Sequence, residues 1–117
     1  MIDVVGKTVK GRTEDVLTST NAMTLYYLTS DSAAAVKCSG GCVNNWPPLL
    51  LQSGDPAASL TLPGSLTATM TANGRQVIYQ GHPLYNFIKD KTSSDANGEG
   101  INAFGGTWHV ATPQTTT

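Results

Sequence analysis

The order Leu-Tyr-x-apolar-x-x-Asp is written twice in this chain, as LYYLTSD at Leu25–Asp31 and as LYNFIKD at Leu84–Asp90. A tryptophan follows each copy, Trp46 after the first and Trp108 after the second. Such a duplication implies two related units, each burying against the other an apolar face it cannot cover alone. In an extended strand alternate residues share a face. Tyr26 and Leu28 then lie on one face, with Leu25 and Tyr27 on the other. In the second copy Tyr85 and Phe87 lie opposite Leu84 and Asn86. The closing aspartate, Asp31 or Asp90, is placed to accept backbone N–H groups two or three residues on and so shape the exit turn. Each half reads as a buried aromatic strand, an Asp-fixed turn, a Gly-rich loop and a return carrying a buried tryptophan. Tyr26 and Tyr85 take equivalent places about an approximate two-fold.

The rest of the chain supports a mainly β fold. Val4, Val5 and Val9 mark an N-terminal strand, and DVLTSTNAMTLYYLTSD reads as two strand segments around a turn at Thr20–Ala22. In SLTATMT, Leu66, Ala68 and Met70 alternate with threonine, the pattern of a half-buried strand. Asn73-Gly74 then separates it from RQVIYQ, a strong hairpin signal because both residues tolerate positive φ. GHP ends that strand, PLYNF begins another, and GGTWHVAT gives a last one ending near Pro113. Pro47-Pro48, Pro56 and Pro63 break the middle into loop, and no long amphipathic helix is evident. Short helical turns are expected at Ser32–Lys37 and around Cys42–Trp46. The expectation is one small antiparallel β domain over residues 1–117, built of half-repeats at about 12–50 and 66–112.

Composition removes several function classes. Charged residues make up 13% of the chain, against roughly 25% in an average protein. The net charge is −1 and no basic cluster occurs, so the footprint of a nucleic-acid binder is missing. No apolar run reaches the length of a membrane span. The N-terminal MIDVVGKTVKGRTED lacks the apolar core of a signal peptide, so the chain is read as either cytosolic or a mature form. TPQTTT reads as a frayed end or linker stub.

Cys38 and Cys42 bear on that choice. They are the only cysteines, held three small residues apart in CSGGC. A disulfide is the leading reading, with two free core thiols and a metal or redox role as the alternatives. A zinc site would need two further ligands at matching spacing, and His82 and His109 are not so placed. A disulfide implies an oxidising compartment.

Taken in order, these motifs resemble a bacterial secreted-repeat family of predicted lipoproteins carrying a Tyr-x-aromatic-x-x-Asp motif. The family pattern is matched by Thr24-Leu25-Tyr26 with Asp31, by Cys38 and Cys42, and by Trp46-Pro47-Pro48. It continues through Gly74, Gln76, Tyr79, Gly81 and Pro83-Leu84-Tyr85 with Asp90, then Asp95, Asn97-Gly98-Glu99-Gly100 and Trp108. Leu28 stands where the family usually has an aromatic, Glu99 replaces a common Gln, Ser94 replaces a Gly, and no lipobox cysteine is present. The resemblance implies an extracytoplasmic location, secreted, periplasmic or at the cell surface. It implies no biochemical activity.

Catalysis needs a nucleophile, a base and an orienting group brought together, and the sequence offers no such set. His82 in a Gly-His-Pro turn reads as a solvated turn residue, and His109 as a surface or partly buried strand residue. Asp31 and Asp90 read as paired turn caps before they read as a carboxylate pair. The best polar cluster is DKTSSDANGEG, where Asp90, Asp95, Asn97 and Glu99 supply oxygens in part of a calcium-loop pattern. The pattern lacks the bidentate Glu of its last position, where Gly106 stands. The expectation is therefore a non-catalytic extracytoplasmic structural or binding module with no cofactor, with calcium as the cation that loop would take. Its partner would be an envelope or surface protein, or a second copy. The alternative is a metal-binding or redox accessory of the bacterial envelope.

Overall fold

Strands form where the sequence alternates, and they stop where glycine permits a left-handed turn. The computed structural model describes residues 2–115. In chain order its strands are β1 (Asp3–Val9), β2 (Arg12–Thr18), β3 (Tyr26–Leu28), β4 (Leu66–Thr71), β5 (Gly74–Tyr79), β6 (His82–Pro83), β7 (Asn102–Ala103) and β8 (Gly106–Val110). They make three small antiparallel sheets, β1-β2, β3-β8-β7 and β4-β5-β6. A 3-10 turn at Gly40–Asn44 is the helical element among the described residues. The turn expected around Cys42–Trp46 is thus found two residues early. Ser32–Lys37 is not helical: Ser32 and Ala35 exchange backbone hydrogen bonds across a tight turn instead.

Three hairpins close on a non-glycine residue and a glycine, both at positive φ. They are Lys10-Gly11 (51° and 81°), Gln80-Gly81 (52° and 82°) and Phe104-Gly105 (58° and 86°). This geometry matches the twist of the flanking strands. The fourth hairpin departs from expectation. Thr71 pairs with Gly74, so the loop is Ala72-Asn73, and only Gly74 has positive φ, 121°. Asn73 is held elsewhere: its backbone N–H reaches Thr71 Oγ1 at 3.1 Å and its side-chain amide reaches Cys38 O at 2.8 Å.

The two halves interlock through their returns. β3 of the first half pairs with β8 of the second, with Tyr26 opposite Val110 and Leu28 opposite Trp108. The counterpart is a bridge from Pro48 of the first half to Tyr85 of the second. Pro47 and Pro48 have no N–H to donate, which leaves that crossing a bridge where the other is a strand. Tyr26 and Tyr85 lie side by side at the centre and exchange backbone hydrogen bonds of 2.8 and 2.9 Å. Flanking them are two closed triangles of backbone bonds. Leu17 N donates to Ala111 O, Ala111 N to Leu25 O, and Leu25 N to Leu17 O, at 2.8, 2.8 and 3.0 Å. Val77 N donates to Leu49 O, Leu49 N to Leu84 O, and Leu84 N to Val77 O, at 2.9, 3.0 and 3.0 Å. Each triangle takes two residues from one half and the third from the other half's return.

The alternation expected of the Leu-Tyr strands sorts the core into two clusters. Tyr26, Leu28, Tyr85 and Phe87 face a cluster with Trp46, Trp108, Val110 and both cysteines. Leu25 and Leu84 face the other, with Leu17, Val77, Tyr79 and Ala111. The expected fraying does not extend to residues 112–115: Tyr79 Oη donates to Pro113 O at 2.7 Å, and Thr115 is buried and bonded back to Thr112. Thr116 and Thr117 lie outside the described residues.

Candidate functional site

The repeated tyrosine and aspartate meet across the two-fold. Tyr26 Oη donates to Asp90 Oδ2 at 2.6 Å, and Tyr85 Oη donates to Asp31 Oδ2 at 2.6 Å. Each tyrosine is thus bonded to the aspartate of the opposite half, at the length of a charge-assisted hydrogen bond. The second oxygen of each carboxylate caps its own loop. Asp31 Oδ1 accepts Lys37 N at 2.5 Å and Asp90 Oδ1 accepts Asn97 N at 3.0 Å. The aspartates therefore fix turns, as expected, but reach six or seven residues on where two or three were expected. The longer reach follows from burial: a carboxylate inside the core must satisfy both oxygens, one locally and one across the interface. Burial first, and then the bond to the carboxylate, hold both phenols well above their ordinary pKa of 10.0.

Each of the two tyrosines packs against one tryptophan of a stacked pair. Trp46 and Trp108 are stacked with ring centroids 3.8 Å apart and planes parallel within 1°. Tyr26 stands edge-on to Trp46 at 5.5 Å, and Tyr85 edge-on to Trp108 at 5.1 Å. Phe87 stacks on the outer face of Trp46 at 4.1 Å. Its equivalent, Leu28, pairs with Trp108 across β3 and β8. All four rings of the central column are buried. Trp108 Nε1 is buried with no hydrogen-bond acceptor among the described residues. Gly98 is required here: a Cβ on it would come within 2.7 Å of Trp46 and 2.8 Å of Tyr26.

Each end of the column has its own polar support. At one end Thr24 Oγ1 donates to Asp95 O at 2.7 Å, and Lys7 Nζ donates to Thr24 Oγ1 at 2.7 Å and to Ala22 O at 3.0 Å. Burial lowers the pKa of Lys7, opposed by the charges of Asp90 and Asp95. At the other end Asn73 spans from Cys38 O to Gln76, and buried Gln76 donates to Leu84 O at 3.0 Å. Cys38 and Cys42 are bridged, and the disulfide is buried in the same cluster as the tryptophans. Sequence marks Asn73 only as a turn residue and Gln76 only as part of the repeat pattern, and Lys7 carries a weaker signal, a cation among the valines of β1.

The acidic loop does not converge. Asp90 turns inward to Tyr26, while Asp95 Oδ2 caps Lys91 N and Thr92 N at 2.7 and 3.0 Å. Those two backbone bonds lower the pKa of Asp95. Asn97 Nδ2 donates to Lys89 O at 3.3 Å. Glu99 bonds His109 Nδ1 at 2.6 Å through one oxygen and accepts Val110 N at 2.9 Å through the other. The expected calcium set Asp90, Asp95, Asn97 and Glu99 is thus pulled in four directions, and no group of metal-ligating side chains forms among the described residues. His82 is less solvated than expected of a turn residue, while His109 is the partly buried strand residue expected. Both flank Tyr27, His82 at 4.5 Å and His109 at 5.9 Å between ring centroids.

Two clefts adjoin on the outside. One, of about 560 Å³, lies between the Ser19–Thr24 turn and Pro47, Asn86 and Asp90. The other, of about 230 Å³, is bounded by Ile2, Leu49, Leu50 and Val77; the two share Ser19, Thr20 and Leu49. A third, of about 200 Å³, opens onto Trp46 and Phe87 between Asn45, Lys89, Ile101 and Phe104.

Fold and site together define an internally duplicated, disulfide-clamped β module whose halves are tied by reciprocal Tyr–Asp bonds. The chain belongs to a family described as a secreted repeat of unknown function, whose model matches it twice, at residues 7–50 and 67–112. The matches cover more than three-quarters of the chain, and the first begins at Lys7, ahead of the half-repeat boundary expected near residue 12. The family places the protein outside the cytoplasm, in keeping with the disulfide. No helix among the described residues is long and apolar enough to cross a membrane. No curated protein and no solved structure shows significant similarity to the chain.

Proposed function

We propose that this protein is a non-catalytic extracytoplasmic binding module, and that its contact surface is the groove formed by the two adjoining clefts at Ser19–Thr24 and Pro47–Leu51. The observation that carries this reading is the fate of the reactive side chains. Asp31, Tyr26 and Tyr85 face one another in the core, Glu99 and His109 hold each other, and Asp90, which lines the larger cleft, spends its oxygens on Tyr26 and Asn97, so these groups form no nucleophile–base set facing a substrate. What faces outward is a groove with one apolar wall, Ile2, Leu49 and Val77, and one polar wall, Thr20, Asn21 and Asn86. Such a groove suits an extended peptide segment of an envelope or surface protein, held by a few polar contacts beside an apolar strip.

The test is an amide-shift titration of the full chain with extended peptides of mixed polar and apolar sequence. Saturable shifts confined to residues 19–24 and 47–51, lost in Leu49→Arg, are expected. Shifts that depend only on protein concentration would point to self-association. Turnover of a hydrolase or transferase substrate that a groove substitution abolishes would replace the reading with an enzyme.

A further inference from the structure

We propose that Tyr26, Trp46, Trp108 and Tyr85 form a one-electron relay, in which a hole introduced at Trp46 settles on a tyrosine whose proton is taken by the aspartate of the opposite half. This goes beyond the binding role, and it shares with the groove's lining Asp90, whose Oδ2 turns inward to Tyr26. Four observations carry it.

The rings are continuous, with centroid separations of 5.5, 3.8 and 5.1 Å along the column. The central pair is closer and more nearly parallel than ordinary aromatic contacts, which favour offset or edge-on geometry at about 4.5–7 Å. A parallel pair in this contact shares a positive hole over both rings. The ends differ from the middle in proton chemistry. An oxidised phenol is a strong acid and holds a hole stably only if its proton has somewhere to go. Both phenols have a carboxylate oxygen in place at 2.6 Å. Trp108 Nε1, by contrast, has no acceptor among the described residues. An oxidised Trp108 keeps its proton and passes the hole on. Finally, among the described clefts one has a ring of the column in its wall, the one that buried Trp46 and Phe87 line together with Lys89, Ile101 and Phe104.

The step balances as follows. A one-electron oxidant, an oxygen- or nitrogen-centred radical or a high-potential metal centre, takes one electron from Trp46 at the cleft and is reduced by one electron. The resulting cation, shared with Trp108, takes an electron from Tyr26 or Tyr85. As it does so, the Tyr26 proton moves to Asp90 Oδ2, or the Tyr85 proton to Asp31 Oδ2. The products are a neutral tyrosyl radical and a protonated aspartate. A one-electron donor arriving later at the same cleft returns the electron, and the proton goes back to the phenol. No heavy atom need move, because donor and acceptor are already in contact.

Pulse radiolysis of the full chain, with azide radical as the oxidant, tests this. The expected result is a tryptophan-radical absorbance that decays at a rate independent of protein concentration, matched by a rise in tyrosyl absorbance and slowed in deuterium oxide. A freeze-quenched sample should give the paramagnetic spectrum of a neutral tyrosyl. In the double variant Tyr26→Phe/Tyr85→Phe the hole should remain on tryptophan. In Asp31→Asn/Asp90→Asn the conversion should slow by about tenfold or more, a barrier rise of about 1.4 kcal/mol. Conversion of unchanged rate and yield in the Phe variant would place the radical on Tyr27 or Tyr79 and overturn the proposal. A tryptophan radical lost only by bimolecular decay would also overturn it. If the variants do not fold, the solvent isotope effect on the unmodified chain decides: its absence refutes the coupled proton transfer.

Discussion

Tyr26 and Asp90 stand in different halves of the chain, as do Tyr85 and Asp31, and each pair meets at 2.6 Å. A hydrogen bond between a phenol and a buried carboxylate contributes about 1.5–3 kcal/mol. Double-mutant cycles should return a coupling of that size for Tyr26→Phe with Asp90→Asn and for Tyr85→Phe with Asp31→Asn. The same-half combinations, Tyr26 with Asp31 and Tyr85 with Asp90, should couple much more weakly; equal coupling would mean the pairing is not crossed. The same phenols set the alkaline limit of the fold. Their pKa values are raised, so the folded state keeps two protons that the unfolded chain releases from about pH 10 upward. Their contribution is whole below pH 10 and lost above it, at about 1.4 kcal/mol per pH unit for each tyrosine. Lys7 works the other way, because its lowered pKa adds stability as pH rises toward 10.5 and nothing beyond. Denaturant midpoints should therefore drop steeply above pH 10, and replacing either tyrosine with phenylalanine should make that drop shallower.

Among the elements, the hairpin tips are the places where local cost is visible. Phe104 sits at φ 58° on an exposed tip, a conformation that costs a side-chain-bearing residue about 1–2 kcal/mol, though Asn and Asp tolerate it better. Phe104→Asn should stabilise the fold by about 1 kcal/mol in denaturant titration; a loss would mean the ring's packing beside Ile101 outweighs the strain. The alternation of Tyr26 and Leu28 against Leu25 and Tyr27 is legible in sequence because strand period alone assigns faces, and burial follows it. The Cys38–Cys42 bridge is legible because small residues alone separate the pair. The crossing of the returns is not legible. A return folded onto its own half would bury the same Trp46 beside the same kind of Leu-Tyr strand, so periodicity cannot distinguish the two. The Asp–Tyr bonds share that blindness, since either aspartate could reach either tyrosine on sequence grounds. The acidic loop misleads for a different reason. Oxygen-rich residues at calcium-like spacing are also what a tight loop uses for its own backbone bonds: Asp90 and Asp95 cap loop N–H groups, Asn97 donates to Lys89 O, and Glu99 is taken by His109 and by Val110 N of β8.

At the scale of the whole molecule, neither half completes its own backbone bonding. The Leu17–Leu25 side lacks its third member without Ala111, and the Val77–Leu84 side lacks its own without Leu49. Cutting the chain within the loop at residues 52–57 should therefore give two fragments that are unfolded apart and that recover the fold when mixed, read by near-ultraviolet circular dichroism of the stacked tryptophans. A fragment that folds alone as a monomer would contradict the crossing. The crossing also bears on descent. A gene for a single half would have made a protein only in pairs, each copy lending its tail to its twin and each tyrosine finding its acid on a neighbour. Fusion of two such copies would remove the dependence on concentration. It would also free the twins to differ as these halves do, one carrying a buried disulfide and Leu28 where the other carries Phe87, a difference an obligate homodimer could never hold.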